Sequence, residues 1–127
     1  MQRTYLIIGS ILGMIGVGIG AFGAHLLEPI IGAQLMQTFK TGVEYHFVHT
    51  LAIIIVAILA GVIGESSLLR WAGRLFTIGV IIFSGSLYVL SITGIKVLGA
   101  ITPIGGVCFI AGWLMLALVG AKYGKRA

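Results

Sequence analysis

The chain has 127 residues, of which 59% are hydrophobic and 9% are charged, and its formal net charge is +5. A soluble domain typically carries about 25% charged residues, so this composition excludes a water-facing surface and indicates a membrane protein. The basic residues are scattered at the ends of apolar runs, which excludes a nucleic-acid-binding face. A single cysteine, Cys108, excludes an intrachain disulfide.

Four apolar segments are long enough to cross a bilayer, which requires roughly 20 largely apolar residues. They cover approximately residues 5–24, 45–63, 75–90 and 101–119 of a single transmembrane domain, residues 1–127. The third segment can extend backward through "SSLLRWAGR", and Pro103 suits the first turn of the fourth. The sequence therefore predicts an all-α integral membrane four-helix bundle.

The distribution of Lys and Arg predicts how the four spans are oriented. Six basic residues fall on the side shared by both termini and the middle loop: Arg3, Arg70, Arg74, Lys122, Lys125 and Arg126. The opposite loops contain only Lys40 and Lys96. Because basic residues concentrate on the cytoplasmic side, we expect a multi-pass protein of the cell membrane, embedded in the lipid bilayer with both termini in the cytoplasm.

The connection between the first two spans has a helical pattern of its own. After Pro29, "IIGAQLMQTFK" places Ile31, Leu35 and Phe39 on one stripe. This pattern predicts a short amphipathic outer segment that lies along the membrane surface or caps the bundle. Glu44 is then expected in the first turn of the second span, where a carboxylate complements the helix dipole.

Small residues indicate how the first two helices pack. Glycines recur in the first span at spacings of 4, 3, 4 and 3, which keeps them on one face: Gly9, Gly13, Gly16, Gly20 and Gly23. In lipid such a face allows close approach of a second helix. The second span has a matching stripe that contains His46, His49, Thr50, Ile53 and Ala57. We therefore expect these two helices to be neighbours.

Most polar side chains fall at the ends of the spans that the charge pattern assigns to the outside. They are His25, Glu28, Glu44, His46, His49, Thr50, Ser84, Ser86, Tyr88, Ser91, Thr93 and Thr102. Three interpretations remain open. The cluster is a satisfied hydrogen-bond network, a site for a small molecule, lipid headgroup or proton, or a metal site. Weak metal candidates are two i, i+3 pairs, His25 with Glu28 and His46 with His49.

Catalytic patterns are sparse. The three acidic residues are all Glu, so a Ser-His-Asp triad is excluded, and no G-x-S-x-G motif occurs. The stretch "GVGIGAFG" lies inside a span and follows no strand, which excludes a nucleotide-binding loop. The sequence predicts neither an enzyme nor a cofactor.

Three stretches resemble a family of small bacterial membrane proteins of unknown function, the YwdK-like and YgdD-like (UPF-type) proteins. They are "GAFGAHLL" (20–27), "YHFVHTLAI" (45–53) and "SGSLYVLSITGIKVLGAITPIGG" (84–106). The resemblance covers nearly the whole chain. It implies a four-helix protein of the cytoplasmic membrane and no particular activity.

The same resemblance refines the histidine hypothesis. The family has His at the positions of His25 and His49, whereas glutamine, a poor metal ligand, is frequent at the position of His46. The resemblance therefore implies a site that pairs His25 with His49 and includes Tyr88, Ser84 and Ser86. A metal ion bound by both His46 and His49 is not implied as a family feature.

These residues predict a non-enzymatic binding or accessory module with an outer-half polar site around His25 and His49. It could form a homo-oligomer or join a membrane protein partner. The alternative is a small transporter or channel subunit that handles protons, ions or a small molecule. That alternative requires an oligomer, because four short helices do not easily enclose a pathway alone. A metal-dependent membrane enzyme is a third possibility.

Overall fold

The computed structural model describes residues 1–126, without the side chains of Ala24 and residues 124–126, so those of Lys125 and Arg126 lie outside the description. Residues 1–126 contain no strand. The elements are α1 (Gln2–Phe22), a π-helical turn (Gly23–Leu27), α2 (Glu28–Ile63), α3 (Ser67–Gly79), a second π-helical turn (Val80–Ser84), α4 (Gly85–Thr93), a 3₁₀ turn (Lys96–Ala100) and α5 (Thr102–Arg126).

Three helical segments, and not the predicted four, are long and apolar enough to cross a membrane: Gln2–Ile63, Ser67–Thr93 and Lys96–Tyr123. The prediction of four separate helices is wrong because the first two predicted spans belong to one helical run of 62 residues. Gly32 interrupts this run with a φ of 85° and a ψ of 168°, outside the helical region. A residue with a Cβ rarely adopts such a positive φ.

The run folds back at Gly32, so that α1 packs antiparallel to α2. The five glycines of the predicted packing face lie in α1 and the first π-helical turn and face α2, and successive glycines contact residues of α2 that lie nearer to Gly32. A Cβ added at Gly9 would contact Ile54, at Gly13 Thr50, at Gly16 His46, at Gly20 Val43 and at Gly23 Phe39. Gly18, which lies off this face, has nothing within 4 Å of an added Cβ.

The structure does not support the first of the two placements predicted for the amphipathic segment, along the membrane surface. Residues 33–44 form the first turns of α2 beyond Gly32 and continue without a break to Ile63. Met36 and Phe39 are buried, and the Phe39 ring lies 5.4 Å from that of Tyr88. The apolar stripe therefore packs inside the protein. Glu44 consequently lies in the middle of a helix, far from any helix N-terminus, and the predicted dipole interaction is absent there.

The third predicted span extends backward through "SSLLRWAGR", as the sequence allowed. The Ser66 hydroxyl accepts a hydrogen bond from the Leu69 N–H at 3.2 Å, which caps α3. The helix therefore begins before Arg70, and α3, the second π-helical turn and α4 form one continuous run. Near the start of this run, the Tyr5 hydroxyl donates to the Arg70 carbonyl at 3.0 Å. The Tyr5 ring occupies the space that a side chain at Gly73 would fill.

The helices pack in the order α1, α2, α3–α4 and α5. α2 packs on α3, the second π-helical turn and α4, while α5 packs on α3 and the same π-helical turn. Large apolar side chains on the outer faces are exposed, including Met14, Val62, Ile81, Val107 and Ile110. Such a surface suits lipid as the surrounding solvent. Because α2 and α5 rest on the same run, a groove is left between them.

Candidate functional site: a groove between α2 and α5

The groove has a volume of about 640 Å³. It lies toward the end of the molecule that carries Gly32 and the connection 94–101. α2 forms one wall, α5 forms the other, and Phe83 of the second π-helical turn lies between them. The lining residues are Glu44, Tyr45, Val48, His49, Phe83, Gly106, Phe109, Ile110 and Trp113.

Stacked rings bridge the two walls. The His49 ring lies parallel to Phe109, with 3.5 Å between centroids and 8° between planes. Phe83 lies 4.6 Å from Tyr45 and 5.3 Å from Phe109 between ring centroids. A Cβ added at Gly105 would lie 2.5 Å from the Phe83 backbone nitrogen, so only glycine allows α5 to approach the π-helical turn this closely. The aromatic lining therefore depends on that backbone contact.

Both ring nitrogens of His49 are engaged. Trp113 Nε1–H lies 2.9 Å from His49 Nε2, and an indole N–H can only donate. His49 Nε2 is therefore the acceptor, and its proton sits on Nδ1, which donates to the Tyr45 carbonyl at 2.8 Å. Protonation of Nε2 would set two N–H donors against each other. In this geometry His49 is a neutral imidazole, and neither nitrogen is free to ligate a metal or accept a proton.

His46 faces the opposite way, toward α1. Its Nε2 lies 2.7 Å from the Leu12 carbonyl, which can only accept, so Nε2 carries a proton. Its Nδ1 shares a 2.8 Å hydrogen bond with the Tyr88 hydroxyl. Gly16 follows Leu12 by one turn, and a Cβ there would lie 3.1 Å from His46 Nε2. The missing side chain at Gly16 therefore opens the Leu12 carbonyl to His46.

The structure does not bring His25 and His49 together. His25 is exposed in the first π-helical turn, at the level of Gly23, whose neighbour on α2 is Phe39. Phe39 precedes His49 by ten residues, which is about 15 Å of helix rise. His49 instead pairs with Trp113. Glu28, the other weak metal candidate, is also exposed.

Of the predicted companions of the histidine pair, Tyr88 hydrogen-bonds His46, and none of the three hydrogen-bonds His49. Tyr88 bonds His46 directly, and the Ser84 hydroxyl donates to the Gly42 carbonyl of α2 at 2.7 Å. Ser86 shares a 2.6 Å hydrogen bond with the Thr102 hydroxyl at the start of α5. These contacts join α1, α2, α4 and α5, as expected for a hydrogen-bond network that fixes helix register.

A metal site gains no support from the geometry. Within the described residues, no group of three or more His, Cys, Asp or Glu side chains is placed to hold a metal ion. The nitrogens of His46 and His49 face protein partners instead.

Trp113 and Phe109 are the residues that sequence reasoning missed. Their i, i+4 spacing places both on one face of α5, which was the available signal. Nothing in the sequence indicated that this face meets His49, because the hydrogen-bonded pair is separated by 64 positions.

Residues 19–106 match the family described as "Protein of unknown function (DUF423)". The UPF0382 membrane protein YwdK of Bacillus subtilis (strain 168) is 46% identical over 122 residues, which cover 96% of this chain and 99% of the relative. The chain belongs to this family. A UPF0382 membrane protein of Staphylococcus haemolyticus, also 46% identical, matches 96% of the chain and 98% of its own length. One of Staphylococcus aureus (strain bovine RF122 / ET3-1) is 44% identical with the same coverage.

No solved structure matches the chain. The names of the relatives agree with the membrane location that the composition indicates, and membership confirms the family resemblance of the three motifs.

Proposed function

We propose that this DUF423 protein crosses the cytoplasmic membrane four times, with both termini in the cytoplasm. The fold-back at Gly32 supports this count, because the first helical run has two antiparallel arms. Arg3, Arg70, Arg74 and Lys122 lie toward the termini, whereas Lys40 and Lys96 lie toward the Gly32 end. This asymmetry supports the orientation.

Cysteine labelling tests the orientation. Cys108→Ala removes the native thiol, and Ser66→Cys or Lys96→Cys then introduces one thiol at either end of the α3–α4 run. In intact cells a membrane-impermeant maleimide should label the Lys96→Cys variant and should label the Ser66→Cys variant only after lysis. The reverse pattern would mean that the termini are outside.

We propose further that the protein binds a small apolar or amphiphilic molecule in the α2–α5 groove. The volume of the groove, about 640 Å³, supports this proposal most directly. Small-molecule sites typically measure about 300–1,000 Å³ and combine apolar walls with few polar groups. Here the walls are aromatic and aliphatic, and the polar groups are Glu44 and His49.

The proposed role is binding without catalysis. His49 is the one imidazole in the lining, and both of its nitrogens are engaged by Tyr45 and Trp113. A general base needs a free nitrogen within hydrogen-bond reach of the proton it removes. The aromatic stack thus favours a fixed wall over a proton-transfer group.

Trp113 fluorescence tests the groove. Trp71→Phe leaves Trp113 as the only tryptophan, and a neutral brominated probe, 1-(4-bromophenyl)hexane, is titrated into the protein in non-ionic detergent. We expect saturable quenching. Gly106→Leu, which adds a side chain to the lining, should abolish saturation, whereas Gly99→Leu should not, because nothing lies within 4 Å of a Cβ at Gly99.

Quenching that rises linearly with the probe-to-detergent ratio, and equally in both glycine variants, would show partition into the micelle only. That outcome would refute a binding site in the groove.

A further inference from the structure

The charged side chains that line the groove are negative only. Glu44 is the only carboxylate among the lining residues, and the lining contains no Lys or Arg. His49 adds no positive charge, because Trp113 donates to its Nε2. An anionic ligand would therefore meet a carboxylate and no compensating cation, whereas a cationic ligand would meet an opposite charge.

Among the side chains that the structure describes, none forms a salt bridge with Glu44. The one salt bridge between described groups joins the Met1 amino group to Glu65 at 2.8 Å, near the opposite end of the molecule. Lys40 precedes Glu44 by one turn of α2, and their charged atoms are not within 4 Å of each other. The carboxylate, which is on an exposed residue and lines the groove, thus remains available to a ligand.

The aromatic walls favour the same sign of charge. Tyr45, Phe83, Phe109 and Trp113 all line the cavity. The face of an aromatic ring carries partial negative charge and attracts a cation within about 6 Å, most strongly when the cation is poorly hydrated. Organic cations with apolar substituents combine this attraction with burial of apolar surface, which an inorganic ion cannot do.

We propose that the α2–α5 groove selects hydrophobic organic cations, in which an ammonium or phosphonium centre carries apolar substituents, through the Glu44 carboxylate and the surrounding aromatic rings. This inference rests on ligand binding in the groove and adds the charge class of the ligand. The cation centre lies near Glu44 and Tyr45, and its substituents fill the space between Val48, Phe83 and Ile110.

Two probes of similar shape and opposite charge test the selectivity: tetraphenylphosphonium and tetraphenylborate. Binding is measured by isothermal titration calorimetry in neutral detergent, with protein-free micelles as the blank. We expect the protein to bind the cation at least about tenfold more tightly than the anion. Glu44→Gln should weaken cation binding about tenfold and leave the anion unchanged.

Glu28→Gln is the matched control, because Glu28 is an exposed carboxylate toward the same end of the molecule and lies outside the groove lining. It should leave both affinities unchanged, and both variants should melt at the same temperature as the unmodified protein. Equal affinity for the two ions, or cation binding that Glu44→Gln does not weaken, would overturn the charge selectivity.

The neutral bromophenyl probe distinguishes a groove that binds ligands without charge selectivity from a groove that binds no ligand. If the neutral probe binds saturably to the Glu44→Gln protein while the cation shows no preference, the groove binds ligands without selecting charge. If none of the three probes binds saturably, both proposals fail.

Discussion

Replacing Gly16 with Leu should separate α1 from α2. A Cβ at Gly16 would already lie 3.1 Å from both His46 Nε2 and Phe47 Cζ, closer than the 3.4–4 Å of ordinary van der Waals contact. The three remaining carbons of Leu would enter the same space and displace His46 from the Leu12 carbonyl. Overpacking costs about 1–3 kcal/mol and an interhelical hydrogen bond in a membrane about 0.6–1.7 kcal/mol, which gives about 2–5 kcal/mol together.

Thermal unfolding in mild detergent, followed by circular dichroism, measures this cost. A loss of about 2–5 kcal/mol should lower the midpoint by at least about 8 °C. Gly18→Leu is the matched control on the same helix, since nothing lies within 4 Å of an added Cβ there, and it should leave the midpoint within about 2 °C. Equal midpoints for Gly16→Leu and Gly18→Leu would refute the glycine-face argument. If Gly16→Leu does not fold, Gly16→Ala should show a smaller drop in the same assay.

Two further substitutions test the groove wall and the fold-back. Trp113→Phe keeps a ring but removes the donor to His49 Nε2, so it should lower the free energy of unfolding by about 0.6–1.7 kcal/mol. Trp71→Phe is the control and should cost less. A smaller loss of stability for Trp113→Phe than for Trp71→Phe in thermal melts would contradict the hydrogen bond. Gly32→Ala forces a Cβ into a φ of 85° and a ψ of 168° and should cost about 1–3 kcal/mol, whereas Gly99→Ala should be neutral. Equal midpoints for the two variants would show that the fold-back does not need glycine.

The sequence predicted the membrane setting because that setting follows from composition. It did not predict the continuous helix from Gly32 to Ile63. A span predicted from hydropathy ends where polar residues begin. A helix, however, continues through polar residues such as Gln37 and Lys40 when no residue breaks it. The break itself occurs at Gly32 rather than at Pro29, because proline is tolerated in a first helical turn and a positive φ requires glycine.

The pairing of His25 with His49 shows a second limit. Helical period assigns a residue to a face, but its depth along the bundle depends on where the chain folds back. With the reversal at Gly32, His25 lies near the level of Phe39. His49 is paired instead with a tryptophan from α5, and no local pattern encodes a contact between residues 64 positions apart.

Gly16 and Gly73 contribute to helix recognition because they lack a side chain. Each exposes one backbone carbonyl, of Leu12 or Arg70, to one donor on another segment, His46 or Tyr5. This chain has few polar side chains. The accessible backbone carbonyls therefore help to determine which helices pack together. A methyl group at either glycine would block the hydrogen bond to that carbonyl, although it would hardly change the hydrophobicity of the helix.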